Sequence, residues 1–311
     1  MKVLVTGGAG FIGANLVRRL LLNKETVHIL QPKKSNLWRL KDIKRKLTIH
    51  NTSLTKVEPL QKLLHNIQPK IIYHLAAHGA YSKQQDIQKI ISTNINGTVN
   101  LMLATKDLKL KCFINTGSSA EYGKKDKKMN ENDYCEPETI YAASKLATTN
   151  IATVFSKRYN LPIITLRPFS VYGPYENKNR FIPTIISSLL DSKPIKITTD
   201  KIRHDYIYID DVVDAYVLAA SNPNLATEKV FNVGTGKEYT CNEVVKMLFE
   251  ISRREVSVKK SSFTPREWDN MHWKADNFRS KKILGLKTKT TLRTGLTKTM
   301  QWFISKQNAQ A

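Results

Sequence analysis

The chain is poor in cysteine and in acid. Cys112, Cys135 and Cys241 are scattered through 311 residues. Their odd number and irregular spacing exclude a disulfide-stapled fold and offer neither a metal-binding nor a redox pair, so they are read as reduced thiols without a nucleophilic role. No apolar run approaches the roughly 20 residues that cross a bilayer. A lone Lys2 ahead of a short apolar run that ends in glycines is not a secretory signal. The expectation is a cytoplasmic protein with no membrane partner.

Acidic residues number 26 against 50 Lys and Arg, a formal net charge of +24. That balance raises nucleic acid as a partner. The cations are mostly scattered, however, and the densest stretches (Lys33 to Lys46, Lys124 to Lys128, Arg279 to Lys289) lack the interleaved aromatics that stack bases. A lysine-rich solvated surface is the favoured reading, with no nucleic-acid partner. Part of the excess suits a doubly anionic ligand such as a nucleotide diphosphate.

Glycine is scarce too, 13 in all, yet Gly7, Gly8, Gly10 and Gly13 crowd the N-terminus. They follow the apolar run Lys2-Val3-Leu4-Val5-Thr6 and lead into helical spacing from Phe11 to Leu22. A strand, a glycine turn and a helix in that order give a backbone that phosphate can approach, facing free helix N–H groups. A dinucleotide pyrophosphate is therefore expected on Gly7, Gly10, Phe11 and Ile12. Gln31-Pro32-Lys33-Lys34 stands where an acidic residue would receive the adenosine ribose hydroxyls. Uncharged Gln31 beside Lys33 and Lys34 suits a 2′-phosphate, which favours NADP(H), with NAD(H) the alternative.

Apolar strands alternate with helical stretches, as in a parallel sheet covered on both faces. Expected strands are Lys2–Thr6, Thr26–Leu30, Leu47–His50, Ile71–Leu75, Lys111–Asn115, Ile163–Leu166, Asp205–Ile209 and Val230–Val233. Expected helices include Phe11–Leu22, Gln85–Ala104, Thr139–Tyr159, Phe181–Leu190, Asp211–Ala220 and Cys241–Ile251. Tyr141 and Lys145 lie four apart on one of these, so the ammonium can lie near the phenol and lower its pKa. Ser118, beyond the strand Lys111–Asn115, can share a proton with Tyr141.

Together these residues resemble the extended short-chain dehydrogenase/reductase family, in its nucleotide-sugar epimerase/dehydratase/reductase branch, over nearly the whole chain. Thr6 to Gly13 is similar to the family's cofactor motif, His74-Leu75-Ala76-Ala77 to its adenine-side strand, and Asn94-Ile95-Asn96-Gly97-Thr98 to its Asn-x-x-Gly-Thr segment. Arg167 to Pro174, Arg203 to Val212, and Arg266 followed by Trp273 to Asp276 match further blocks.

The resemblance implies an α/β, Rossmann-type doubly wound parallel sheet with a smaller C-terminal α/β substrate lobe. Residues 1–169 plus 203–233 would form the NAD(P)-binding domain, and 170–202 plus 234–305 the nucleotide-sugar lobe. It implies Ser118, Tyr141 and Lys145 as the catalytic set, with Leu75, Ala76, Ala77, Asn94 and Pro168 beside the cofactor. His78, Ser119, Ser170, Arg180, Arg203 and Arg266 would face a nucleotide diphosphate sugar. No metal is implied, and a homodimer is expected through the Gln85–Ala104 and Thr139–Tyr159 helices.

Departures from the family pattern narrow the reaction. Dehydratases of the branch carry a proton-abstracting Glu two positions after the Ser/Thr; here Ala120 stands there and Glu121 is one residue late, on the opposite face of an extended segment. His204 occupies the place of a phosphate-pairing Arg, with Arg203 beside it. The expected chemistry is hydride transfer at C4, as a 4-keto-sugar reductase exchanging NADP(H). The alternative is a 4-epimerase with retained NAD, like UDP-glucose 4-epimerases. A 4,6-dehydratase or a non-catalytic NAD(P)-binding protein ranks behind both.

Overall fold

The Val-Leu-Val run near the N-terminus has no polar face to offer solvent, and it is sealed on both sides: Val3, Leu4 and Val5 are inaccessible. They belong to β1 (Lys2–Thr6) in a computed structural model that describes residues 1–81, 83–197, 202–227, 230–260 and 272–308. The chain continues through α1 (Phe11–Leu22), β2 (Thr26–Gln31), β3 (Thr48–Asn51), α2 (Val57–Ile67), β4 (Ile71–His74), α3 (Ile87–Ile90), α4 (Gly97–Thr105), β5 (Cys112–Thr116), α5 (Ile140–Tyr159) and β6 (Ile163–Pro168). Then come β7 (Ser170–Tyr172), α6 (Phe181–Leu190), β8 (Ile195–Ile197), β9 (Arg203–His204), β10 (Tyr206–Tyr208) and α7 (Ile209–Ser221). The chain closes with β11 (Val230–Val233), β12 (Tyr239–Thr240), α8 (Cys241–Ser252), β13 (Val258–Lys260), α9 (Phe278–Lys282) and α10 (Leu292–Asn308).

Seven strands form one sheet in the order β11-β6-β5-β4-β1-β2-β3. Every pairing in it is parallel. Parallel neighbours need long crossovers, and the crossover helices bury both faces. Leu16, Val17 and Leu20 of α1 and Val212, Ala215 and Tyr216 of α7 cover one face. Leu60 and Leu64 of α2, Leu101 and Met102 of α4 and Ala152 of α5 cover the other. Thr6 is level with His74, and His74 with Asn115, so the carboxyl ends of β1, β4 and β5 open together where the strand order reverses. That crevice is where ligands bind in open α/β sheets.

Two expectations are corrected. The helix expected over Gln85–Ala104 is interrupted by a wider π turn, Ile91–Asn96, between α3 and α4. The strand expected over Asp205–Ile209 is shorter and lies outside the main sheet, with β10 pairing β7 in parallel. Asp205 is held back because its buried carboxylate accepts N–H bonds from Thr235, Gly236 and Ala275. Helix α2 lies outside the expected helices, with Leu60, Leu64 and Ile67 marking its inner face. The cluster beneath α1 and α7 also takes in Ile186 and Leu189 of α6, Val244 and Leu248 of α8 and Leu296 of α10, so the C-terminal elements share that core. Among the described residues no helix is long and apolar enough to cross a membrane.

Candidate active site

The glycine turn packs against the loop that leaves β4. Gly7 has φ +69°, and a Cβ there would lie 2.6 Å from the Ala76 amide nitrogen, so only glycine fits. Gly10 caps α1 without a side-chain bond to it, and Phe11 and Ile12 open the helix, leaving its first N–H groups for a ligand. Gln31 closes β2 and is buried, yet its Oε1 has no hydrogen-bond partner among the described residues. A buried acceptor left bare costs about 1–3 kcal/mol. Lys33 and Lys34 are exposed on the following turn.

A directed chain of hydrogen bonds joins this turn to α5. The Ala76 N–H donates to the Thr6 hydroxyl (3.2 Å), which contacts His74 Nδ1 (2.6 Å); His74 Nε2 contacts the Thr98 hydroxyl (2.8 Å), which donates to the Asn94 carbonyl. Because Thr98 spends its proton on Asn94, it accepts from Nε2–H. His74 Nδ1 therefore accepts from Thr6, and the ring is neutral. Burial, reinforced by the nearby Lys145 charge, pushes its pKa down to about 3. Asn94, turned inward by the π turn, donates to Ser144 Oγ (2.8 Å) and to the His78 carbonyl (2.9 Å), and accepts from the His78 N–H (2.8 Å). Ser144 donates to the Tyr141 carbonyl (2.7 Å). Leu75, Ala76, Ala77 and His78 are thus a loop tied to β1 at one end and to α5 at the other.

Ser118, Tyr141 and Lys145 meet at the end of β5. Thr139 caps α5 through a bond from the Ala142 N–H (3.1 Å), which starts the helix so that Tyr141 and Lys145 share a face. Burial pushes the Tyr141 phenol up to about 12, opposed by its hydrogen bond with Ser118 and by the charge of Arg180. Burial pushes Lys145 down to about 8, and the Glu121 charge opposes that fall. The Lys145 ammonium donates to the Thr116 carbonyl (2.8 Å), while the Thr116 hydroxyl bonds the Tyr216 phenol (2.8 Å). The arrangement places a hydrogen-bonded hydroxyl pair beside a cation.

The Glu121 carboxylate lies close enough to raise both Tyr141 and Lys145, but its hydrogen bonds go to other groups. Its Oε1 accepts the Ser118 N–H (2.7 Å) and its Oε2 accepts from Arg167 Nε (2.8 Å), both residues being buried. The Arg167 guanidinium lies over the Tyr122 ring, 4.6 Å from its centroid.

The substrate-side residues are more dispersed. The Trp273 indole N–H donates to Ser119 Oγ (2.9 Å), and its ring lies 6.4 Å from that of His204, whose Nδ1 is 3.4 Å from Ser170 Oγ. Pro168 ends β6, one residue from the β7 start at Ser170. Arg180 lies over Tyr81 and 3.7 Å from Glu176, whose carboxyl burial pushes up to about 8. Arg203 faces Glu243 closely enough to help lower that carboxyl, after the stronger hydrogen bond of Thr240. Arg266 lies outside the described residues. Arg39 donates to the Ala9 carbonyl (3.4 Å) and the Tyr175 carbonyl (2.7 Å). The side-chain partners of Trp273, His74 and Arg167 are distant in sequence, so spacing alone does not reveal them. Among the described residues no group of three or more His, Cys, Asp or Glu could hold a metal ion.

Comparison with known proteins agrees with this geometry. The model of the NAD dependent epimerase/dehydratase family matches residues 3–234. An uncharacterized UDP-glucose epimerase of Bacillus subtilis, YtcB, is 30% identical over 98% of this chain and 98% of its own. UDP-glucose 4-epimerase of Mycolicibacterium smegmatis is also 30% identical, over 98% of this chain and 99% of its own. The crystal structure of UDP-glucuronic acid 4-epimerase from Bacillus cereus, with UDP-glucuronic acid and NAD, superposes with a TM-score of 0.87 at 27% identity, covering 98% of this chain and 100% of that one. With the parallel sheet, the glycine turn and the Ser–Tyr–Lys cluster in place, the chain belongs to the NAD dependent epimerase/dehydratase family of enzymes.

Proposed function

We propose that this protein is a 4-epimerase of nucleotide diphosphate sugars, UDP-hexoses foremost, with retained NAD. The observation that carries the reading is the gathering of Ser118, Tyr141 and Lys145 at the end of β5, with the neighbouring carboxylate, Glu121, committed to Arg167 and the Ser118 N–H. Dehydration across C5 and C6 needs a carboxylate base at the sugar, and Glu121 is not free to be one. Of the remaining readings, the epimerase alternative fits the full-length relatives better than the 4-keto-sugar reductase first expected.

Gly7, Gly10, Phe11 and Ile12 would hold the pyrophosphate of NAD, and the bare Gln31 Oε1 supports an unphosphorylated ribose, whose hydroxyls can donate to it. When bound, the nicotinamide supplies a hydride acceptor and donor at C4 and a positive charge that favours phenolate. Tyr141 takes the C4 hydroxyl proton and returns it after the keto sugar turns over, while Ser118 holds the oxygen in line. Lys145, charged below its pKa of about 8, stabilises the phenolate. Ser119, Ser170, His78, Arg180 and Arg203 would line the sugar nucleotide.

The test is interconversion of UDP-glucose and its C4 epimer without added dinucleotide. Tyr141→Phe is expected to lower kcat by roughly 10²–10⁴ with substrate binding retained. Lys145→Met is expected to lower both kcat and NAD affinity. Turnover that requires added NADPH and a keto sugar would replace the epimerase by the reductase, and near wild-type turnover of Tyr141→Phe would remove the catalytic assignment.

A further inference from the structure

The Glu121–Arg167 pair lies directly behind the catalytic hydroxyl, and the proposed reaction does not use it. Three independent contacts fix the carboxylate. Oε1 accepts the Ser118 N–H at 2.7 Å, Oε2 accepts from Arg167 Nε at 2.8 Å, and the whole group rests on Gly117, where a Cβ would come within 2.5 Å of Oε1. In return the Ser118 hydroxyl accepts the Ala120 N–H (3.2 Å), closing a reciprocal cap on the short turn Ser119–Tyr122. The side chain of Ser118 then has its remaining capacity for Tyr141. Without Glu121 the Ser118 N–H would be left without its acceptor, and the turn that aims the hydroxyl would lose half of its cap.

We propose that Glu121 is a positioning residue of this enzyme: its carboxylate, pinned by Arg167 and seated on Gly117, holds the Ser118 main chain so that the Ser118 hydroxyl meets the Tyr141 phenol. The inference rests on the proposed reaction for its kinetic readout. Glu121 also acts through space. Facing it are Arg167 of β6, Tyr141 and Lys145 of α5, its own neighbour Tyr122, and Cys135. Its negative charge raises both Tyr141 and Lys145, so its removal lowers both.

Two variants separate position from charge. Glu121→Gln removes the charge and keeps one acceptor; the expected result is a kcat profile displaced to lower pH by roughly one unit. Gly117→Ala keeps both charges but pushes the carboxylate off the Ser118 N–H. Its expected result is about a tenfold loss of kcat with KM within twofold and the pH profile little moved. If Glu121→Gln alone does not fold, because Arg167 is left buried without its counter-charge, Glu121→Gln with Arg167→Met restores neutrality and takes its place.

The NAD-loaded protein gives a readout that needs no turnover: tyrosinate absorbance against pH, taken as the difference from Tyr141→Phe, is expected to titrate lower in Glu121→Gln than in the wild type. A wild type inactive on UDP-hexoses with that displacement present would overturn the reaction and leave the positioning role standing. An unmoved Tyr141 titration together with wild-type kcat in Gly117→Ala, or losses that track only the unfolded fraction by circular dichroism, would overturn the positioning role.

Discussion

Gln31 shows how much one side-chain oxygen can decide. Read as an uncharged residue between strand and lysines, it favours a 2′-phosphate. Its burial changes the argument, because the bare Oε1 is an acceptor that a ribose hydroxyl can satisfy, while Lys33 and Lys34 are exposed. An anionic phosphate against a carbonyl oxygen gains nothing, whereas a hydroxyl completes its bonding. NAD(H) is therefore expected to bind about tenfold more tightly than NADP(H). Gln31→Asp should widen the gap by adding a charged acceptor and repulsion for phosphate. Calorimetric titration with both dinucleotides checks this, and tighter NADP(H) binding in the unmodified protein would reverse it.

Among the elements, β1, β4, α4 and α5 share the apolar cluster of Leu4, Ile72, Leu101, Met102 and Ala152 and are also joined by the line of hydroxyls and amide running through His74. The π turn makes that line possible, since it rotates Asn94 inward to reach both the β4 loop and Ser144. His74 carries a consequence for stability. Its folded value is about 3, against about 6.5 in the unfolded chain, so the unfolded state binds a proton that the native state refuses. The stability is present above pH about 6.5 and is lost as pH falls towards 3, at up to roughly 1.4 kcal/mol per unit. Urea unfolding from pH 7 downward should show a shallower loss in His74→Asn, which cannot titrate there. Equal slopes in the two proteins would show that other groups govern the acid limb.

At the scale of the whole molecule, the outer face of α3 and α5 carries apolar side chains that the sheet does not need. Ile87 of α3 and Ile140 and Val154 of α5 are exposed, although the opposite side of α5 buries Ala142, Lys145, Thr148 and Ala152. A second copy placing the same face against them would form an isologous interface, the commonest kind. Sedimentation is expected to show a homodimer at micromolar concentration, and Val154→Lys to shift it towards monomer; a monomeric wild type would exclude the interface. The net charge of +24 opposes such self-association at low salt, so the dimer is expected to strengthen as salt rises.

What the amino-acid sequence determined by itself is local. The glycine turn needs φ > 0 and a bare Cα at Gly7, the cap Thr139 starts α5, and four residues of helix bring Tyr141 and Lys145 onto one face; each follows from neighbours within a few positions. The alternation of apolar runs and helical spacing carried the parallel sheet in the same way. Tertiary structure decided what joins residues far apart. Trp273 reaches Ser119 across 154 positions, Arg167 captures Glu121 across 46, and Asn94 finds Ser144 across 50. It also decided that β10 leaves the main sheet for β7 and that Gln31 keeps a buried oxygen bare. Spacing along a chain sets which way a side chain leaves its own element. What that side chain meets is set by the packing of other elements, and it is the meeting that turns a carboxylate near a serine into a support for it rather than a base.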